Sequence, residues 1–250
     1  MMRVRFNAFW MQKAGNLPEE YEDAFAPNAS PDADTGRDEF WCAVADGATE
    51  TSFSGLWAQL LVDHFVNQRP AQIKADHLSG LALNWRQAID ARTAHKPLPW
   101  YAVEKLERGA FSSLIGLTIR ADGSWRALCV GDSCLFHVRP HQAIRAFPYY
   151  HPDQFNNHPV LLSTNAESVE VQGARGKWQD GDYFLLMTDA LAHFFLSQRK
   201  LRAHLVSDAL DQTGFEQIVA EARDDRICRN DDVTLLKIAP AAGDDPGGLA

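Results

Sequence analysis

Four aspartates stand beside hydrophobic runs: Asp46 after FWCAVA, Asp132 after ALCVG, Asp189 after YFLLMT, and Asp231 shortly before VTLLKI. Such runs read as buried strands, and strand ends in a sheet-based fold can converge on one edge, where a rigid scaffold best preorganises a site. Carboxylates gathered there repel one another. Either their proton affinities rise or divalent cations neutralise them, and an all-oxygen donor set favours magnesium, manganese or calcium over zinc. Gly47, next to Asp46, would let a backbone carbonyl approach a cation that a Cβ would hold off. For any single aspartate the competing reading is a plain turn residue; the four together are more specific.

The elements that must position these residues can be read from hydrophobic period and turn chemistry. Phe40–Ala45 is a continuous apolar run that suits a strand buried on both faces and stopping at Asp46-Gly47. It follows AFAPNASPDADTGRDE, a loop or hairpin tip. Thr49, Thr51 and Ser52 can cap a helix whose stripe is Leu56, Trp57, Leu60, Leu61 and Phe65. A second helix carries Leu78, Leu81, Trp85 and Ile89, and KPLPWY cannot continue it. FSSLIGLTI, WRALCVG and CLFHV, separated by Asp- and Gly-containing turns, predict an antiparallel meander. Residues 141–165 read as a weak strand and then a long loop, a flap over a site. Tyr183–Thr188 is a strand after the turn Asp180-Gly181-Asp182, and Leu191, Phe194, Phe195 and Leu201 predict the next helix. A helix over about Phe215–Arg223 and a strand over Val233–Ile238 close the chain. Antiparallel strand runs with helices between blocks imply an α+β fold.

The bulk properties set bounds. The 250 residues, 46% hydrophobic, suit one domain over residues 1–239 with a Gly- and Asp-rich, disordered tail over 240–250. A formal charge of −9 opposes a nucleic-acid partner, which requires clustered Lys and Arg. No apolar run approaches the ~20 residues that span a bilayer, so a membrane role is not expected. The N-terminal stretch, interrupted by Asn7 and Gln12, lacks a signal-peptide pattern, and a cytoplasmic location is expected. Cys42, Cys129, Cys134 and Cys228 form no C-x-x-C pair and read as buried thiols. There is no G-x-S-x-G elbow, and the nine histidines show no metal-binding spacing; His193, soon after Asp189, is the one nearest a candidate site residue.

Five short segments, in order, resemble the PP2C/PPM family of metal-dependent serine/threonine protein phosphatases, in its bacterial form. They are Glu22-Asp23-Ala24, Val44-Ala45-Asp46-Gly47, Val130-Gly131-Asp132-Ser133, Met187-Thr188-Asp189 and Asn230-Asp231-Asp232-Val233-Thr234. The resemblance implies a four-layer αββα sandwich of two antiparallel sheets flanked by helices, with two or three Mn2+ or Mg2+ ions in a cleft at one end. It implies that Asp46, Asp189 and Asp231 are the catalytic metal ligands, Asp46 bridging two ions with the Gly47 carbonyl on one of them. Glu22 and Asp23 would act partly through water, and Asp132 with Asp189 would hold a third ion. Asp232 would stand behind these ligands. A water bridging the ions would be the nucleophile, and the partners would be phosphorylated proteins and a serine/threonine kinase sharing those targets. Three positions depart from the family pattern. Ala48 stands where animal members carry a histidine, Ala190 replaces the glycine of T-D-G, and the phosphate-contacting arginine that members place before Glu-Asp is not evident here. The nearest upstream cation there is Lys13, a phosphate-binding candidate whose competing reading is a surface lysine. These departures motivate an alternative, a PPM-fold regulatory or binding protein with little turnover.

Overall fold

The apolar run that ends at Asp46 is strand β3 (Glu39–Ala45), and its antiparallel neighbours are β2 (Ala24–Pro27) and β5 (Leu114–Arg120). β5 continues into β6 (Ser124–Val130), and β6 pairs with the edge strand β10 (Gln172–Lys177), giving a five-stranded sheet ordered β10-β6-β5-β3-β2. The other five-stranded sheet is ordered β1-β12-β11-β7-β8, from β1 (Met2–Met11), β7 (Cys134–Val138), β8 (Arg145–Phe147), β11 (Tyr183–Met187) and β12 (Val233–Ala242). A short pair, β4 (Phe111–Ser112) with β9 (Leu162–Ser163), completes the strands. The computed structural model describes residues 1–30, 36–49, 51, 53–70, 73–95, 100–155 and 158–243.

Three hydrophobic cores separate four layers. Phe6, Phe40, Val44, Ile115, Leu117, Phe184, Leu186 and Leu236 fill the space between the sheets. On the outer face of the β3 sheet, α1 (Ser54–Gln68) and α2 (Ala75–Thr93) bury Trp57, Leu61, Phe65, Leu78, Trp85 and Ile89. On the outer face of the other sheet, α4 (Asp189–Ser197), α5 (Arg202–Val206) and α6 (Gln212–Asp224) bury Phe194, Phe195, Leu205, Phe215 and Val219. This is the expected αββα sandwich, and all four cysteines are buried and free. Among the described residues no helix is long and apolar enough to cross a membrane.

Several local expectations need correction. The predicted meander is broken: β5 and β6 pair, but β7 pairs with β11 and β8, so Gly131-Asp132-Ser133 carries the chain from one sheet to the other. Gly131 makes that passage at φ +96° with its Cα packed on Ser113, where an added Cβ would lie 2.6 Å from the serine Cβ. The N-cap of α1 is Phe53, in the left-handed region at φ 59°, whose side chain makes no capping hydrogen bond; Ser52 lies outside the described residues. The Phe53 carbonyl accepts the first helical hydrogen bond from the Trp57 amide at 3.2 Å and a second from Trp85 Nε1 at 3.1 Å, which ties the start of α1 to α2. Strand β12 runs four residues beyond Ile238, paired with β1 as far as Ala242 opposite Met2; the rest of the predicted tail, 244–250, lies outside the described residues. Leu201 is not on α4 but precedes α5, and a further helix, α3 (Trp100–Glu107), follows the proline-containing segment.

Candidate metal centre

The two sheets end together at one edge of the sandwich, and each contributes acids there. Asp46 follows β3, Asp189 is the first residue of α4 directly after β11, and Asp231 lies in the turn before β12. Asp132 occupies the passage between sheets. These four aspartates line one cavity of about 550 Å³ together with Gly47, Ala48, Thr49, Thr51, Phe111, His158, Pro159, Leu161 and Arg229. The segment read as a flap does supply one wall, through His158, Pro159 and Leu161. Trp57 Nε1 holds its far end by donating to the Leu162 carbonyl at 2.9 Å.

The backbone around Asp46 is fixed from several directions. Its carbonyl accepts from the Ser113 amide at 2.9 Å and its amide donates to Ser113 Oγ at 3.3 Å; Ser113 Oγ in turn shares a hydrogen bond of 2.5 Å with Ser133 Oγ. A Cβ at Gly47 would meet the Glu22 carbonyl oxygen at 2.7 Å and the Ser54 carbonyl carbon at 2.8 Å. The glycine therefore lets β3 close against the start of α1 and the Glu22 loop, a packing reason distinct from carbonyl access to an ion.

Glu22, Asp23 and Asp232 stand behind the cavity. Asp232 accepts from the Lys13 amide and the Glu22 amide, both at 2.7 Å, and so clamps the segments on either side of a turn. Asp23 is buried; its Oδ2 accepts from Thr234 Oγ1 at 2.7 Å, while its Oδ1 has no partner among the described residues. A buried carboxylate oxygen left without a donor is costly unless a proton or cation reaches it. Glu22 accepts from Ser54 Oγ on the side facing α1. Lys13 lies outside the cavity lining, with Nζ 3.9 Å from Asp231 Oδ1.

Electrostatics report the crowding. Burial, and then the neighbouring Asp23, Asp189, Asp132 and Asp231, push the Asp46 carboxyl well above the usual range. Asp23 is raised by burial and by Asp232, and Asp189 by burial and by Asp231, the latter partly offset by Arg229. Asp46 and Asp189 lie within reach of each other, and Asp189 also pairs with Arg229 at 3.6 Å. Burial and Asp189 push Asp132 from 3.8 to about 7. A carboxyl held above its unfolded value contributes stability that is present in acid and lost as pH rises toward the folded value. Chelator-treated protein is therefore expected to lose up to about 3 kcal/mol relative to an Asp132→Asn variant between about pH 4 and about pH 7. Urea unfolding of both proteins at the two pH values checks this; parallel pH profiles would contradict it.

Sequence reasoning missed Arg229. Its position directly before Asn230-Asp231 was the available signal; its hydrophobic period carried none. His193 does not line the cavity; its ring packs edge-on against Phe155 at 5.7 Å. Ala190, the second residue of α4, is buried and in ordinary helical backbone, so the family's glycine is not needed there for a left-handed turn.

The donor set is all oxygen, which suits a hard divalent cation. Among the described residues, however, no three acidic, His or Cys side chains are already drawn into a closed coordination sphere. Asp189 is instead engaged by Asp46 and Arg229. The residues present thus fit such ions in chemistry and location, and binding requires Asp189 to exchange those contacts for the cation.

Residues 20–223 match the sequence family described as protein phosphatase 2C. Among curated proteins nothing matches significantly. Solved structures share the fold at low identity. The Mycobacterium tuberculosis serine/threonine phosphatase PstP/Ppp superposes with a TM-score of 0.58 at 16% identity, covering 95% of this chain and 98% of that one. RsbX in complex with magnesium gives 0.56 at 17%, covering 96% of each chain. The catalytic domain of PstP in complex with two manganese ions gives 0.57 at 16%, covering 96% of this chain and 100% of that one.

Proposed function

Because the chain belongs to the protein phosphatase 2C family, we propose that it hydrolyses phosphoserine and phosphothreonine monoesters on proteins, using divalent cations held in the aspartate cavity. The observation that carries this reading is that carboxylates from both sheets line one cavity and raise one another's proton affinity. Asp46, Asp189 and Asp231 are the ligands this reading places at the centre, with the Gly47 carbonyl and Asp132 beside them and Asp23 and Glu22 behind. Magnesium and manganese, the ions held by the RsbX and PstP structures, are the cations this oxygen set suits. When bound, such ions would acidify a water and neutralise charge on the phosphoryl group.

The chain's own residues position the ester. Arg229 is half-exposed on the cavity wall, and once Asp189 turns to a cation its guanidinium is free to take two phosphoryl oxygens in its planar fork. It is better placed for this than Lys13, which stays beside Asp231. Ala48 offers no proton donor, and His158, which also lines the cavity, is the imidazole this reading assigns to protonating the leaving oxygen. Thr49 and Thr51 supply hydroxyls on the wall, and no cysteine lines the cavity, so the residues favour direct attack by water over a thiol intermediate.

The decisive assay is phosphate release from a phosphothreonine peptide by purified protein with manganese and with chelator. Metal-dependent release supports the reading. Manganese binding by calorimetry without release from any phosphopeptide favours the regulatory alternative, which the engagement of Asp189 by Asp46 and Arg229 also motivates. Within an active enzyme, Arg229→Ala is expected to lower kcat/KM about 10- to 100-fold, the loss of a charged hydrogen bond to phosphate, mainly through KM, with partial rescue in Arg229→Lys. Wild-type KM in Arg229→Ala would remove the arginine from this role.

A further inference from the structure

We propose that the outer face of the β10-β6-β5-β3 sheet, at the end away from the aspartate cavity, is a docking site for an acidic extended segment of a partner protein. The pattern begins in the strands. Alternation along β6 sends Trp125 and Ala127 to the core between the sheets and Arg126 and Leu128 to the outer face. Register then places Trp41, Thr118, Arg126 and Arg175 in one row across four strands. The helices leave part of this face open, because α1 packs chiefly on β2, β3 and β5.

The open part is a hollow of about 780 Å³ lined by Arg126, Arg175, Ile73, Leu128, Val169 and Val171. An adjoining hollow of about 460 Å³ shares Arg126 and Leu128 and adds Arg69, Arg120 and Glu39. Glu39 is already engaged by both Arg69 and Arg120. Arg126 and Arg175 are exposed, lie directly opposite each other, and make no side-chain hydrogen bond or ion pair among the described residues. Like charges directly opposed on neighbouring strands destabilise a sheet. In a chain of net charge −9, such a pair beside an apolar floor is complementary to an acidic ligand.

Charged residues also guard sheet edges against unwanted pairing. That explains Arg175 and Lys177 on the edge strand β10 but not Arg126, which lies on an interior strand. The unpaired edge of β10 adds backbone groups with which an extended peptide can pair, while its acids meet the arginine row. Along β6 the row stands six residues from Asp132, about 20 Å at the rise of a strand. The docked segment is therefore distinct from the phosphorylated residue.

Fluorescence anisotropy of a labelled oligoglutamate peptide with chelator-treated protein tests the surface without requiring turnover. Saturable binding at low salt is expected, weakened about tenfold in Arg126→Glu/Arg175→Glu and retained in Arg126→Lys/Arg175→Lys and in Asp46→Asn. Equal binding by the charge-reversed variant, equal binding of oligolysine, or tighter binding of single-stranded oligothymidylate overturns the proposal. A kinetic arm rests on the phosphatase reading: the charge-reversed variant is expected to lose kcat/KM on a glutamate-rich phosphopeptide but not on p-nitrophenyl phosphate. Absence of all turnover would sink that reading while leaving the binding result to decide the docking site.

Discussion

Asp46→Asn is expected to abolish metal-dependent phosphate release while making the chelator-treated protein more stable. Both halves follow from where the carboxyl sits. It faces Asp189, Asp132, Asp23 and Asp231 inside the protein, and burial and these neighbours hold its proton affinity high. Asparagine keeps the shape, carries no charge to desolvate and adds nothing to the repulsion. Replacing a buried, poorly compensated charge by a neutral group of similar volume commonly stabilises by about 1–3 kcal/mol. For a domain of this size each kcal/mol corresponds to roughly 2–4 °C in Tm. The same change removes the anionic oxygen that a shared cation site requires, and kcat/KM is expected to fall about a thousandfold or more, at or beyond the cost of losing one preorganised electrostatic contact. Thermal melting with chelator and phosphate release with manganese check the two halves. A variant that is active, or less stable than wild type without metal, would remove Asp46 from the centre of the site.

Gly47→Ala is the second large effect, and it acts through backbone. The added methyl would lie within 3 Å of the Glu22 carbonyl and of Ser54 backbone atoms, none of which can rotate aside. Either β3 or the start of α1 must move, at an overpacking cost of about 2–3 kcal/mol. Because Asp46 precedes this residue and Glu22 flanks it, a displacement approaching 1 Å is expected to reduce kcat about 100-fold even in molecules that fold. Gly80→Ala, on the exposed face of α2 with nothing within 4 Å of the new Cβ, is the control and is expected to stabilise by about 0.5–1 kcal/mol. Urea unfolding separates the two, and similar stability changes in both variants would show that Gly47 is not a close-packed contact.

Much of this architecture was legible because apolar runs and polar turns coincide with real elements. Phe40–Ala45, Tyr183–Thr188 and Val233–Ile238 announced β3, β11 and β12 because their side chains are buried on both faces. Strand β10, QGARGK, gave no such signal, since it lies at an edge and hydrogen-bonds to β6 through backbone that composition does not encode. The passage of β6 into β7 looked like a hairpin because a short Gly-Asp-Ser turn is locally the same whether the next strand pairs back or joins another sheet; long-range pairing of β7 with β11 decides it. At the site, each aspartate was visible from its place beside a strand, but the contact between Asp46 and Asp189 is a tertiary fact. So is Arg229, whose role depends on which wall it faces.

The buried thiols extend the consequences of this geometry. Cys42 lies on the strand that ends at Asp46 and Cys129 on the strand that leads to Asp132; both belong to the layer between the sheets, where burial suppresses the thiolate. Alkylation at either sulfur thus demands that the sandwich come apart. On the proposed reading a cation gripped by acids from both sheets would fasten that seam, and the rate at which these cysteines react would be a clock for its opening, readable without any substrate.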